Sequence, residues 1–426
     1  MALLNRVKTT AKKIAPEFII GWYHFGLAFL AALRCGFPSR KLKVIGVTGT
    51  NGKSTTVIMI ADILEEAGFK VAVSSSVKFK IGAKEWKNES RMTMPGRFAL
   101  QKFLHSAAKK NCRYAVIEVS SEGIKQHRHR FIDFEAAAVT NVTAEHIEAH
   151  GSFEKYRAAK GGLFKVCRNI HIVNMDDSNC DYFAKFPAAA KYGYTVGGAM
   201  SGSSAGAKIV DARDCRITAA GSSFTVRGMQ FDLRLLGKFN IYNALVAICV
   251  GLSQQVDLEI CKNALKKIKV IPGRMEQVVA DPFRVFVDYA VTPDSLEKAY
   301  QAMKADIKGG SLICVFGSCG GGRDKWKRPV MGGLAEQYCD RVIVTNEDPY
   351  DEDPMAIINE ITADGKKAEK IVDRREAIKE ALKGARRGDT VLVTGKGCED
   401  SMCVAGGKKI FWNDKIVIFE EIAGIK

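Results

Sequence analysis

The stretch KVIGVTGTNGKSTTVIMIADILEEAG, residues 43–68, decides the fold. Its opening, KVIGVTG, is a short β-branched run that stops at glycine. Its close, STTVIMIADILEEAG, carries apolar residues at helical spacing and ends in Gly68, a natural C-terminal stop. Between them lies Gly49-Thr50-Asn51-Gly52-Lys53-Ser54-Thr55. A strand, a glycine-rich turn and a helix opening with Lys-Ser turn backbone N–H groups and a helix N-terminus toward an anion, the arrangement that grips polyphosphate. Lys53 can reach the outer phosphates, and the Ser54 hydroxyl can ligate magnesium. The spacing is not a strict GxxxxGK[ST], because Val47 stands where the first glycine is expected. The strand–loop–helix context therefore carries the reading, against the alternative of a glycine loop without a ligand.

The alternation continues outward. A strand at Val71-Ala72-Val73, a helix over 97–109 and a strand at Tyr114–Val119 predict a mostly parallel, doubly wound sheet. A glycine- and serine-rich passage, 197–206, precedes antiparallel strands near 207–235 and a helix over 241–252. Ile271-Pro272-Gly273-Arg274 interrupts the helical pattern and reads as a domain boundary. Beyond it FRVFVDYA, SLICVFGS, DRVIVTNE and DTVLVTGK are four strand candidates, each ending in polar or glycine residues. Ligands in open α/β sheets gather at such carboxyl ends. The expected organisation is a helical segment over 1–40, a central domain over 41–270 and a C-terminal domain over 271–426.

The chain has 426 residues, 47% hydrophobic and 26% charged, as in a globular protein of two or three domains. A net charge of +17 favours anionic partners. No basic-aromatic stripe, helix-turn-helix pattern or RNA-binding signature accompanies it, so nucleic acid is not the expected partner. Twelve cysteines with no CxxC pair and no zinc-like spacing read as thiols of a reducing cytoplasm. Residues 18–37, FIIGWYHFGLAFLAALRCGF, are nearly uncharged and follow Arg6, Lys8, Lys12 and Lys13. They suit an interfacial helix or a marginal span, while Tyr23, His24 and the glycines weigh against spanning. A helix packed on the body of the protein or in a dimer contact is the alternative. No small-residue cleavage site follows, so no secretion signal is expected.

Downstream, YAVIEVSS sets Glu118 at the end of an apolar strand, where a magnesium-binding carboxylate belongs in such a fold. Alone it would be an ordinary solvated strand end. With it, TGTNGKST, EVSSEGIKQHR, TNVTAEHIEAHG, YRAAKGGLF, GKFNIYNALVAI, PGRME, DYAVTPDSL and GGGRDKWKRPVMG occur in one order across most of the chain. This order resembles the Mur ligases, and within them the MurE branch, which adds the third amino acid to UDP-N-acetylmuramoyl-L-alanyl-D-glutamate.

The resemblance implies an α/β fold: a central P-loop-type sheet domain, a C-terminal Rossmann-like domain and a short helical N-terminal segment. It implies that Gly49–Thr55 with Lys53 bind the ATP phosphates, and that Ser54 and Glu118 serve two magnesium ions with His146. Lys160, which the residues alone would place on a helix surface, matches a lysine that is carbamylated in the family. Asn240 and Asn243 match contacts to the adenine end, although helix capping is their plain reading. Arg274 and Asp288 match residues at the phosphates and ribose. The implied chemistry is ADP-forming: the substrate carboxylate becomes an acyl phosphate, and an amino acid's amine then displaces phosphate.

Thr93, Pro95, Ser120, Gln126 and Arg128 match contacts to the muramoyl-peptide. Arg323, followed by Lys325, Lys327 and Arg328, matches a contact to the incoming diamino acid, where the plain reading is a solvated charged loop. Gly395 and Glu399 match the site of its amino group. Departures fall here too. Glu122, Val291 and Cys398 stand where histidine is usual, and Glu347-Asp348-Pro349-Tyr350 replaces Asp-Asn-Pro-Arg. Tyr350 offers no cationic clamp for the distal carboxylate of diaminopimelate, and the acidic pair suits an ammonium-ended side chain. Only 40 residues precede the core where a uridine-binding domain is usual. The expectation is a cytoplasmic ligase with small-molecule substrates, touching a membrane at most through residues 18–37. The alternatives are a related ligase on lipid-linked muropeptide, poly-glutamate or folate, and a non-catalytic ATP-binding module.

Overall fold

The computed structural model describes residues 16–425 apart from Ser90, Arg91, Ala199, Ser201, Ser203, Ser204, Ala205, Ala219, Lys308, Asp364 and Lys366. The basic leader with Arg6, Lys8, Lys12 and Lys13 lies outside the described residues. The chain forms two compact units. One comprises Met1–Val142, Arg157–Asp211 and Asn243–Ala264; the other comprises Thr143–Tyr156, Ala212–Tyr242 and Leu265–Lys426.

In the first unit, β1 (Lys43–Thr48) is central, with β2 (Val71–Ser74), β3 (Lys78–Ile81), β4 (Lys84–Lys87), β5 (Tyr114–Glu118), β6 (Phe134–Val139), β7 (Ile170–Asn174) and β8 (Ala190–Val196) around it. Their order is β8-β7-β6-β1-β5-β2-β3-β4. The six strands from β8 to β2 run parallel, and β3 and β4 add an antiparallel hairpin. The central strands are buried along nearly their whole length, which is why they read as continuous apolar runs rather than alternating ones. Helix Lys53–Glu66 follows β1 and buries Val57, Ile58, Ile60, Ile63 and Leu64. It ends two residues before Gly68, whose φ of 85° takes the left-handed turn that a β-carbon would disfavour.

The first described helix, Glu17–Arg34, is oriented by packing. Ala28, Ala31 and Ala32 are buried, and Phe25 and Phe29 meet Phe131 edge-on. The alternative of packing on the body thus holds for one of its faces. None of the described helices is long and apolar enough to cross a membrane.

Strand β9 (Ala207–Thr218) runs from the first unit into the second, which contains its antiparallel turn-back to β10 (Gly221–Val226) and β11 (Met229–Leu233). Its main sheet comprises β12 (Glu276–Val279), β13 (Arg284–Asp288), β14 (Leu312–Phe316), β15 (Arg341–Val344), β16 (Ala368–Lys370) and β17 (Thr390–Thr394). They stand in the order β12-β13-β17-β14-β15-β16, parallel except for β12. Alternate residues supply two cores. Phe286, Cys314, Phe316 and Leu392 meet helices Pro293–Lys304 and Lys327–Tyr338 on one face. Val285, Val287, Val315 and Val393 meet helices Arg374–Gly384 and Asp414–Ile425 on the other. The four strands expected in this half are all present, and all twelve cysteines are free thiols.

Candidate functional site

Three neighbouring parallel strands of the first unit, β5, β1 and β6, end together, and the loop from Gly49 to Gly52 sits on those ends. The loop is pinned from β6. Thr50 N–H donates to the Asn141 carbonyl at 2.8 Å, Asn51 N–H to Asn141 Oδ1 at 3.0 Å, and Thr140 Oγ1 to the Asn51 carbonyl at 2.6 Å. Glycine is required twice. At Gly49 (φ 145°) a β-carbon would stand 1.9 Å from Thr140 Oγ1, and at Gly52 (φ 82°) 2.3 Å from Asn243 Oδ1. Asn243 therefore packs against the loop, and its Oδ1 also accepts from Thr56 Oγ1 at 3.2 Å.

Two lysines meet on one oxygen. Lys53 Nζ donates to the Gly49 carbonyl at 3.1 Å and to the Thr50 carbonyl at 2.8 Å. Lys160 Nζ donates to the same Gly49 carbonyl at 2.6 Å. Lys160 is only 2% exposed, so its plain reading as a surface residue is corrected: helix Phe153–Val166 turns it inward.

Glu118 is likewise buried rather than solvated. Its Oε1 accepts from Ser76 N–H at 2.8 Å, and Ser76 Oγ lies 2.7 Å from Ser54 Oγ. Ser76 joins the helix serine to the strand carboxylate and was missed in the sequence. The serine run after β2 was its only signal. Among the described residues no three His, Cys, Asp or Glu side chains form a metal cluster. A hydroxyl and a carboxylate on one short chain of contacts nevertheless offer hard oxygen donors. That suits magnesium, which keeps several waters and takes few protein ligands.

The muramoyl-peptide candidates form a second group in this unit. Ser120 Oγ accepts from Gly123 N–H at 3.1 Å, capping a short helix. Arg128 donates to Gln126 Oε1 at 2.7 Å and to the Met94 carbonyl, between Thr93 and Pro95. Arg97, also missed, donates through Nε to the Gln126 carbonyl at 3.1 Å. Its Nη2 is buried with no partner among the described residues. Burial first, then the Arg128 charge, pushes the Arg97 guanidinium below its ordinary pKa. Two guanidiniums that both bond Gln126, one with an open N–H, favour an anion beside them.

In the second unit, strand ends converge again. Asp288 closes β13, and its Oδ2 accepts from Met275 N–H at 2.7 Å. Burial raises its pKa while Arg274 opposes that shift. The Arg274 guanidinium lies 4.4 Å over the Tyr289 ring. Asn240 lies inside helix Lys238–Ser253 and donates to the Leu236 carbonyl at 2.7 Å. His146 has a left-handed φ of 56° and stands beside Tyr156. The turn after it is held by Asp324, which accepts from Ile147 and Glu148 N–H at 3.1 and 3.0 Å.

The charged run is solvated only in part: Arg323 and Lys325 are exposed, and the other two cations are buried. Lys327 is buried and pairs with Glu145 at 3.0 Å, and Arg328 is buried against Glu352 and Glu360.

Glycine lets Gly317 and Gly395 close on Glu347. Glu347 is 3% exposed; its Oε1 accepts from Cys319 Sγ at 3.0 Å and its Oε2 is buried without a partner among the described residues. Burial raises its pKa, against the pull of Lys396. Asp348 is engaged: Lys396 Nζ donates to its Oδ1 at 2.8 Å and Cys403 N–H at 2.7 Å. Lys396 also donates to Glu399 at 2.6 Å, and Tyr289 OH contacts Glu399 at 3.4 Å. The acidic pair expected to face a substrate ammonium is thus divided, with Glu347 keeping an open oxygen and Asp348 neutralised by a lysine. Tyr350 (φ 55°) has its ring against Gly321, in the turn that leads to Arg323.

Comparison with known proteins gives the family. The signature of the Mur ligase middle domain matches residues 47–251, and that of the Mur ligase glutamate ligase domain matches residues 273–397. A UDP-N-acetylmuramoyl-L-alanyl-D-glutamate–2,6-diaminopimelate ligase of Syntrophomonas wolfei is 38% identical, covering 93% of this chain and 82% of its own. A UDP-N-acetylmuramyl-tripeptide synthetase of a Roseiflexus species is also 38% identical, covering 91% of this chain and 80% of its own. A solved UDP-N-acetylmuramoyl-L-alanyl-D-glutamate–2,6-diaminopimelate ligase superposes with a TM-score of 0.60 at 29% identity, covering 90% of this chain and 78% of that one. With both domain signatures matched and relatives 38% identical along most of their own length, this chain belongs to the Mur ligase family.

Proposed function

We propose that the chain is an ADP-forming amide ligase that adds an amino acid to the D-glutamyl carboxylate of a muramoyl-dipeptide in peptidoglycan synthesis. The observation that carries this reading is the meeting of Lys53 and Lys160 on the Gly49 carbonyl, beside the Ser54–Ser76–Glu118 chain. The working domains are 41–270 for ATP and 271–426 for the incoming amino acid, with Asn240, Asn243, Arg274 and Asp288 serving the nucleotide.

A carboxylate oxygen of the substrate attacks the γ-phosphorus of ATP, ADP leaves, and the resulting acyl phosphate is attacked by the amine. Inorganic phosphate departs with the former carboxylate oxygen, and the amine loses a proton to the surroundings. Lys53 and the loop N–H groups orient the transferring phosphoryl group. Ser54 and Glu118 would hold magnesium, which would supply charge neutralisation at the phosphates. Two ammonium groups on one carbonyl repel each other in a buried site. Carbamylation of Lys160 removes that repulsion and turns a cation into an anion able to serve a metal.

Arg97 and Arg128 bind an anionic group of the muramoyl-peptide, beside Thr93, Pro95, Ser120 and Gln126. Glu347 Oε2 takes the distal ammonium of a diamino acid, with Arg323, Gly395 and Glu399 around it. Tyr350 supplies no cation for a second distal carboxylate, so lysine or ornithine ranks above diaminopimelate. The protein works in the cytoplasm, with peripheral membrane contact through residues 18–37. The test offers ATP, magnesium and UDP-muramoyl-dipeptide with lysine, ornithine or meso-diaminopimelate, and records phosphate release. Release that depends on both the dipeptide and one diamino acid is expected; no release with any member removes the reading.

A further inference from the structure

Helix Glu17–Arg34 is apolar on both of its long faces, and only one of them is covered. Ala28, Ala31 and Ala32 point into the protein, while Phe18, Trp22, Tyr23, Phe29, Leu30 and Leu33 are exposed. At 3.6 residues per turn those six fall on a single stripe opposite the alanines. Phe18 is 68% exposed, Trp22 72% and Leu33 54%, so the stripe is open along the whole helix. No Asp, Glu, Lys or Arg interrupts residues 18–33, and the one histidine there, His24, is buried on the covered side. Scattered exposed hydrophobics are normal; a continuous stripe rich in aromatics marks an interaction surface.

Charge decides between occupants. The sequence before the helix carries Arg6, Lys8, Lys12 and Lys13 and no acidic residue before Glu17, and Arg34, Arg40 and Lys41 stand exposed at the other end. A second copy would bring the same positive charge against these ends, on a chain already at +17. An anionic lipid surface matches both the cations and the apolar stripe. Trp and Tyr suit the level of the headgroups, where a ring can be half apolar and half wet. The helix does not meet the length and hydropathy needed to cross a bilayer, so the fitting geometry is a helix lying in the interface.

We propose that the Phe18–Leu33 stripe docks the protein onto anionic lipid, with the helix parallel to the bilayer and its alanine face still on the protein. This is independent of which carboxylate the ligase uses.

The test is flotation of the full chain with vesicles of phosphatidylcholine alone or mixed equally with phosphatidylglycerol. Flotation with the mixed vesicles only is expected, with a blue shift of tryptophan emission that the Trp22→Phe variant lacks. The double variant Trp22→Ser, Leu30→Ser alters exposed side chains, so an unchanged melting temperature verifies its fold. Its binding should fall by about tenfold or more. Replacing Lys12 and Lys13 with glutamine should weaken binding by on the order of thirtyfold, with the stripe intact. Failure to float with anionic vesicles overturns the proposal. So does binding that the double variant leaves unchanged, which would make it a charge effect alone. A concentration-dependent dimer lost in the double variant, without vesicle binding, would reassign the stripe to a contact between copies.

Discussion

Lys160 Nζ donates to the Gly49 carbonyl oxygen at 2.6 Å, although 111 residues of chain separate the two. The contact ties a buried helix lysine to the first residue of the phosphate loop. Replacing Lys160 with alanine should cut turnover by about a hundredfold or more, the scale of losing one electrostatic contact to the transition state. If the working form is the carbamate, short carboxylic acids added to Lys160→Ala should restore part of the rate. Full activity in the variant without additives would refute the role.

Glu118 is linked to Ser54 through Ser76. Glu118→Gln keeps the shape and the acceptor for Ser76 N–H but removes the charge. The magnesium concentration for half-maximal rate should rise about ten- to a hundredfold, while the melting temperature changes little. A variant with an unshifted magnesium requirement would show that this carboxylate serves the loop and not a metal.

Arg97 holds an open N–H beside Arg128. Arg97→Ala should raise KM for the muramoyl-dipeptide about tenfold or more, the worth of one charge-assisted hydrogen bond. KM for ATP should not move. Equal increases for both substrates would place Arg97 outside the acceptor site.

Tyr350 stands in the sequence where the resemblance to the family leads one to expect an arginine, and the proposed role of that position is the choice of the distal group. Tyr350→Arg should shift the ratio of kcat/KM toward meso-diaminopimelate relative to lysine, by about tenfold. A ratio that stays fixed would mean that Arg323 alone sets this choice.

His129 is buried, and burial, then Arg130 and His127, push its pKa down from 6.5 to about 3. The folded state therefore keeps it neutral while the unfolded chain protonates near 6.5. Its stabilising contribution is complete above pH 6.5 and is lost progressively as pH falls toward 3. The loss reaches at most a few kcal/mol, at about 1.4 kcal/mol per pH unit. Denaturant melts at pH 7 and pH 5 should differ, and His129→Gln should narrow the difference. An unchanged difference would place the acid sensitivity elsewhere.

The ATP half was legible because backbone geometry dictates its residues: only glycine fits against Thr140 and Asn243, so the loop announces itself. Strands buried on both faces were legible for a similar reason. The hairpin β3–β4, with its partly exposed Lys78–Ile81 and fully exposed Lys84–Lys87, carried no such constraint and was not anticipated. Lys160 and Glu118 needed tertiary structure, since burial of a charge is invisible along one helix or strand. The same holds for Asp348, which looked available until Lys396 arrived from 48 residues away. Ser76 and Arg97 were missed because a serine after a strand and an arginine at a helix start are ordinary by themselves.

The most direct measurement follows an oxygen atom. Muramoyl-dipeptide labelled with oxygen-18 in the D-glutamyl carboxylate, turned over with ATP, magnesium and a diamino acid, should deliver one labelled oxygen into the inorganic phosphate released. Phosphate free of label, alongside amide product, would contradict the acyl phosphate route and with it the roles given to Lys53, Lys160 and Glu118.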